Sequence, residues 1–118
     1  DFGDLTGARS LGTAGSNATR AVFAGGYENP GASARVNNID YVTIATTGNA
    51  TNFGDQSVTR TDAAAMPSST RCVFGTGDPS TATIDYIQFA TEGNAVDFGD
   101  ATARDEAFSG MSNGHGGL

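Results

Sequence analysis

The clearest pattern along the chain is a run with apolar residues on both parities, Ile39, Tyr41, Val42 and Ile44, which returns as Ile84, Tyr86, Ile87 and Phe89. Successive side chains of an extended segment point to opposite faces, so each run predicts a strand covered on both sides. Such a strand belongs in a sheet lying between two others. The run sits inside a longer repeat, because the whole stretch Ile39 to Asp55 comes back as Ile84 to Asp100. Its closing Asn-Phe-Gly-Asp, which is Asp-Phe-Gly-Asp in the second copy, also opens the chain as Asp1-Phe2-Gly3-Asp4, so the register appears three times, about 45 to 50 residues apart, a period typical of repeat arrays.

Overlaying the repeats extends the match. Arg9, Arg60 and Arg104 fall in one column after the Asp-Phe-Gly-Asp segments, and Thr19 to Phe23 aligns with Thr70 to Phe74 and, loosely, with Gly114 to Leu118. Four extended pieces are predicted per unit: 11–16, 20–25, 38–46 and 50–55, then 63–66, 71–75, 83–91 and 95–100. The array divides into the end of a preceding repeat (1–4), repeat one (5–55), repeat two (56–100) and a partial third (101–118). Gly26 to Asn37 is longer than its counterpart Asp78 to Ala82 and reads as an exposed loop insertion. Thr47-Gly48-Asn49 and Glu92-Gly93-Asn94 read as hairpin turns, with Gly and Asn able to take positive φ.

Composition narrows the class. Seventeen Gly with abundant Ser, Thr, Asn and Ala suit short strands and tight turns, so the expected fold is all-β. A net charge of -7, with six Arg and no Lys, excludes a phosphate-tracking surface and hence nucleic-acid partners. No apolar run approaches the ~20 residues of a membrane helix, so no membrane insertion is expected. Cys72 is the only cysteine, which excludes an internal disulfide and any cysteine-rich metal site. The chain begins on Asp1 within a motif, which suggests processing or a fragment.

Val22-Phe23-Ala24-Gly25-Gly26, followed by Asp40-Tyr41 and an aromatic at Phe53, resembles the kelch repeat of β-propellers. The second copy, Val73-Phe74-Gly75-Thr76-Gly77, breaks the double glycine, and Phe53 and Phe98 stand where kelch repeats have Trp. The run Asn37 to Asp55, with the following Thr-x-x-Arg-like segment and Thr19 to Gly26, is similar to kelch-like repeats of structural proteins in tailed phages, especially marine and cyanobacterial ones. That resemblance covers nearly the whole chain. It implies blades of four antiparallel strands, about two complete with partial blades at both ends, in a tail, fibre or appendage component located in a virion or extracellular assembly. It carries no catalytic residues over.

Asp1-Phe2-Gly3 and Asp97-Phe98-Gly99 spell the kinase metal-binding tripeptide, but a kinase requires a strand Lys and this chain has none. The alternative is a turn in which Gly gives backbone freedom, Phe packs between blades and Asp bonds local amides. Asp4 with Arg9, Asp55 with Arg60 and Asp100 with Arg104 suggest a repeated charge pair, worth about 0 to 1 kcal/mol each if exposed. Arg20, Arg71 and His115 form a second recurring column, a candidate ring for an anionic ligand. Tyr27, Glu28, Asn29 and Arg35 in the insertion form the candidate loop for a partner, with Tyr27 a stacking platform for host-surface glycan. Cys72 reads as a small buried hydrophobe. Acidic residues near Asp97, Asp100, Asp105 and Glu106 lack EF-hand spacing, and Asn17-Ala18-Thr19 and Asn49-Ala50-Thr51 match the glycosylation triplet.

No nucleophile–base set, cofactor site or metal site is marked, so the expectation is a non-enzymatic structural or adhesive module contacting other copies, other virion proteins or the host surface. The alternative is a glycan-binding propeller in receptor recognition. Two blades cannot close a ring, so stable folding is expected only within a longer array or a homo-oligomer whose other copies cover the ends.

Overall fold

The computed structural model describes residues 1–29, 34–103 and 109–112. Within them the chain is all-β, with eleven strands: β1 (Arg9–Ser10), β2 (Thr13–Ser16), β3 (Arg20–Ala24), β4 (Tyr27–Glu28), β5 (Ala34–Arg35), β6 (Asn38–Thr43), β7 (Thr51–Asp55), β8 (Ala64–Pro67), β9 (Arg71–Gly75), β10 (Thr83–Gln88) and β11 (Val96–Asp100). They form three antiparallel sheets. The two larger sheets have the orders β2-β3-β6-β7 and β8-β9-β10-β11, one per repeat. Equivalent residues pair in both: Val22 with Tyr41 in the first, Val73 with Tyr86 in the second. The four extended pieces expected in each unit are these strands. The third piece ends earlier than its sequence suggests, at Thr43 and Gln88, because the chain turns at Ile44 and Phe89.

The small sheet β1-β4-β5 is the main departure. The segment expected to be an exposed loop instead pairs on both sides: Ser10 opposes Tyr27, and Tyr27 opposes Arg35. Repeat two keeps only one bridge there, between Thr61 and Asp78. Two-residue strands carry almost no periodicity, which hides them in sequence.

The repeats meet with unlike faces. Sheet one contributes Val22, Ala24, Ile39 and Phe53, with Tyr41 at the margin; sheet two contributes Ala65, Cys72, Phe74, Ile87 and Phe89. In the alignment, Val22 corresponds to Val73, whereas Cys72 corresponds to Ala21, and these side chains lie on opposite faces of their sheets. The core is therefore one seam, made by one face of repeat one on the other face of repeat two.

A backbone clasp locks the seam. Gly93 N donates to Phe53 O and Ala95 N to Asp55 O, each at 2.8 Å, while Asp55 N donates to Asn94 Oδ1 at 3.1 Å. The same three bonds recur between Asp1–Asp4 and the first Gly-Asn-Ala turn, with Gly48 N on Phe2 O, Ala50 N on Asp4 O and Asp4 N on Asn49 Oδ1. The asparagines thus serve as side-chain acceptors, and neither takes positive φ. Gly54 has φ 151°, and a Cβ there would collide with the Gly93 carbonyl, so glycine is required twice over.

Asn52-Phe53-Gly54-Asp55 and Asp97-Phe98-Gly99-Asp100 lie in the extended pieces expected there, as bulged strands, and not in the turn suggested for the Asp-Phe-Gly tripeptide. Ile39 opposes Gly54 and Asp40 opposes Asn52, leaving Phe53 as the extra residue; Phe98 is extra in β11 in the same way. A bulge re-aims the unpaired side chain. It sends Phe53 into the seam, where it meets Tyr41 edge-on at 5.7 Å.

Phe53 is 3% exposed and Phe98 is 58% exposed, although they occupy the same place in the repeat. Phe53→Ala should cost about 3 to 5 kcal/mol by loss of buried volume, and Phe98→Ala under about 0.5 kcal/mol. Urea denaturation of the two variants checks this asymmetry.

Candidate functional site

Each repeat buries an arginine against an aspartate. Arg9 Nη2 lies 2.9 Å from Asp40 Oδ2, and Arg60 Nη2 lies 2.9 Å from Asp85 Oδ2, with both members of the second pair inaccessible to solvent. The sequence suggested Asp4 and Asp55 as partners from proximity along the chain. The observed partners are the aspartates of the Ile-Asp-Tyr strands, brought close by sheet formation. Arg104 and its expected pair with Asp100 lie outside the described residues at the arginine.

Around each pair the polar groups follow one plan. Thr6 donates its amide and hydroxyl to Asp40; Ser57 does the same to Asp85. Arg60 also donates from Nε to Gln56 Oε1 at 3.2 Å and from Nη1 to Thr83 O at 2.8 Å. Burial pulls the Arg60 guanidinium below its ordinary pKa, and the Asp85 carboxylate opposes that shift. A charge pair so completely bonded holds the crossing segment 56–61 against sheet two.

Repeat one is less complete. Leu5 stands in the column of Gln56, and Arg9 Nη1 finds no acceptor among the described residues. Arg9, Thr6, Gly7, Glu28, Val36 and Asn38 line a cavity of about 150 Å³ beside the small sheet.

The candidate partner loop falls in that region. Tyr27 and Glu28 are half-buried in β4, Asn29 is exposed, and Arg35 in β5 is exposed. Tyr27 is held in a paired strand rather than on a free loop. Arg35 forms an ion pair with Asp78, its Nε 2.9 Å from Asp78 Oδ2, so the insertion of repeat one is tied to repeat two.

The column of Arg20 and Arg71 is a stack at a sheet face. Arg20 lies 4.6 Å from the Tyr41 ring centroid, donates from Nη1 to Phe89 O at 2.6 Å and sits 3.5 Å from Glu92. Tyr41 donates its hydroxyl to Glu92 at 2.7 Å, which raises the phenol pKa. Arg71 lies 4.9 Å from the Tyr86 ring in the same manner, and Tyr86 meets Phe98 edge-on, but this second stack faces outward. In the first stack the cation serves the seam. His115, the third member of the column, lies outside the described residues.

Cys72 is fully buried at the seam, and burial pushes its thiol up to about 12. Asn17 Oδ1 accepts from the Thr19 and Arg20 amides while Nδ2 donates to Ser69 O, so this triplet builds a turn that contacts repeat two. Among the described residues no cluster of three metal-ligating side chains occurs. A larger apolar groove of about 450 Å³ runs along the outer face of sheet one, bordered by Phe2, Leu5, Phe23, Val42 and Ile44.

Two outcomes are expected. Arg60→Met or Asp85→Asn alone should destabilise the fold by about 3 to 5 kcal/mol, and joining Arg60→Met with Asp85→Leu should recover much of the loss, measured by urea denaturation. Cys72 in the folded protein should react with a thiol reagent at pH 8 at least roughly a thousandfold more slowly than in urea, following its thiolate fraction; the favourable burial of the neutral thiol holds below the unfolded pKa and fades as pH rises towards the folded one. A labelling rate equal to that of the unfolded chain would contradict the seam.

Compared with known proteins, the chain matches no family model and no curated sequence.

Proposed function

We propose that this chain is a non-enzymatic structural or adhesive module, built of kelch-like β-propeller blades and used in a virion or extracellular assembly for protein–protein or host-surface contact. The observation that carries the reading is the seam: two four-stranded sheets, one from each repeat, packed by unlike faces, with matching clasps at both Gly-Asn-Ala turns. A unit of this kind buries its apolar faces by stacking on neighbours, which is the logic of blades and of repeat arrays.

The chemistry of the buried groups supports a scaffold. Arg60, Asp85 and Asp40 are buried charges with full partners: Arg60 donates to Asp85 and to main-chain carbonyls, Asp85 also accepts from Ser57, and Asp40 accepts from Arg9 and Thr6. The adhesive side of the reading falls on the small sheet around Tyr27, the feature that repeat two does not share.

Purified particles and surface structures from the source, analysed by mass spectrometry, should contain the chain as a stoichiometric component. Absence from every such fraction would overturn the assignment. For the adhesive role, an array of surface glycans probed with the intact assembly should show binding that Tyr27→Ala lowers at least fivefold.

A further inference from the structure

The two outer faces of the molecule are the two halves of its own seam. In sheet one, Ala21, Phe23, Val42 and Ile44 occupy the columns of Cys72, Phe74, Ile87 and Phe89, yet Ile44 is 44% exposed where Phe89 is 1% exposed. In sheet two, Val73, Ile84, Tyr86 and Phe98 occupy the columns of Val22, Ile39, Tyr41 and Phe53. Gly99 keeps the positive φ of Gly54, 140°, but a Cβ there would meet nothing within 4 Å. The strand is shaped for a clasp that no turn among the described residues fills.

We propose that a second copy of this chain docks head to tail on the β10–β11 half of the outer face of sheet two, presenting its Val42–Ile44 face and its Gly48-Asn49-Ala50 turn. This rests on reading the repeats as stacking units. Continuity with the internal seam defines the register. Phe98 enters the groove beside Ile44, Arg71 donates to the Ile44 carbonyl as Arg20 does to Phe89 O, and Gly99 accepts the close approach of the Gly48 carbonyl. The incoming copy's own Asp1–Asp4 holds that turn in the free molecule, but it is the same tetrapeptide as Asp97–Asp100, so one clasp exchanges for another with the same bonds. Gly110 lies against Ala65 and Met66, at the β8 side, while Val96 and Phe98 in β11 are exposed.

One difference weakens the new seam. Thr47 stands in the column of Glu92, so the carboxylate that receives Arg20 and Tyr41 inside the molecule is missing from the incoming face. The association should therefore be concentration-dependent, and Thr47→Glu should tighten it by up to about fivefold, the range of an exposed ion pair.

Sedimentation equilibrium of the full chain tests this. The wild type should associate reversibly as its concentration rises towards the millimolar range. Phe98→Asp and Ile44→Arg, both at exposed positions, should each remain monomeric, because each spoils one face. Mixed in equal amounts they should form a 1:1 dimer through the two faces left intact, which a symmetric dimer could not do. A wild type that stays monomeric throughout would overturn the proposal, as would association that survives in both single variants or a mixture that stays monomeric while the wild type associates. These outcomes concern only the surface; a chain that associates so but is missing from all particles would instead count against the functional reading.

Discussion

An arginine side chain almost or wholly hidden from water, held by a fully buried aspartate, is the constraint around which each repeat is arranged. Taking both charges out of solvent is costly, and only dense hydrogen bonding returns the loss. Arg60 meets that condition through Asp85, Gln56 and the carbonyls of Phe74 and Thr83, so the crossing segment and strands β9 and β10 are all held by one side chain. Arg9 repeats the arrangement with fewer acceptors, and it lies where the outer face of sheet one has no neighbouring sheet.

Much of this was legible in the residues. The runs Ile39–Ile44 and Ile84–Phe89 announced the strands β6 and β10, and the duplication of Ile39–Asp55 as Ile84–Asp100 announced one four-stranded unit per repeat, but the cover expected on both faces of these strands is present on one, at the seam. What stayed hidden was long-range. Sequence proximity favoured Asp4 and Asp55 as partners of Arg9 and Arg60, whereas the true partners, Asp40 and Asp85, come near only after sheet formation. The recurrence of Asp in the middle of an apolar strand was the available signal, since a carboxylate at such a place needs a cation.

The small sheet escaped for a different reason. Strands of two residues are fixed by their neighbours rather than by their own pattern, so Tyr27 and Arg35 looked like loop residues. Likewise the Asn of each Gly-Asn-Ala turn suggested a backbone conformation, while its role is to accept an amide from the adjoining repeat. Both errors come from judging a residue by its own segment when its partner belongs to another.

The clasp has a consequence for how such chains change over generations. Its bonds run from main-chain amides to main-chain carbonyls and to the side-chain oxygen of one asparagine that recurs in register, with Phe-Gly-Asp presented at both clasps among the described residues. A recombination that adds or removes one whole unit therefore leaves each surviving junction chemically unchanged. Copy number becomes free to drift, while the side chains on the seam do not: a larger residue at Gly15 would run into the Cys72 sulfur of the next unit, so substitutions there must travel in pairs across a boundary.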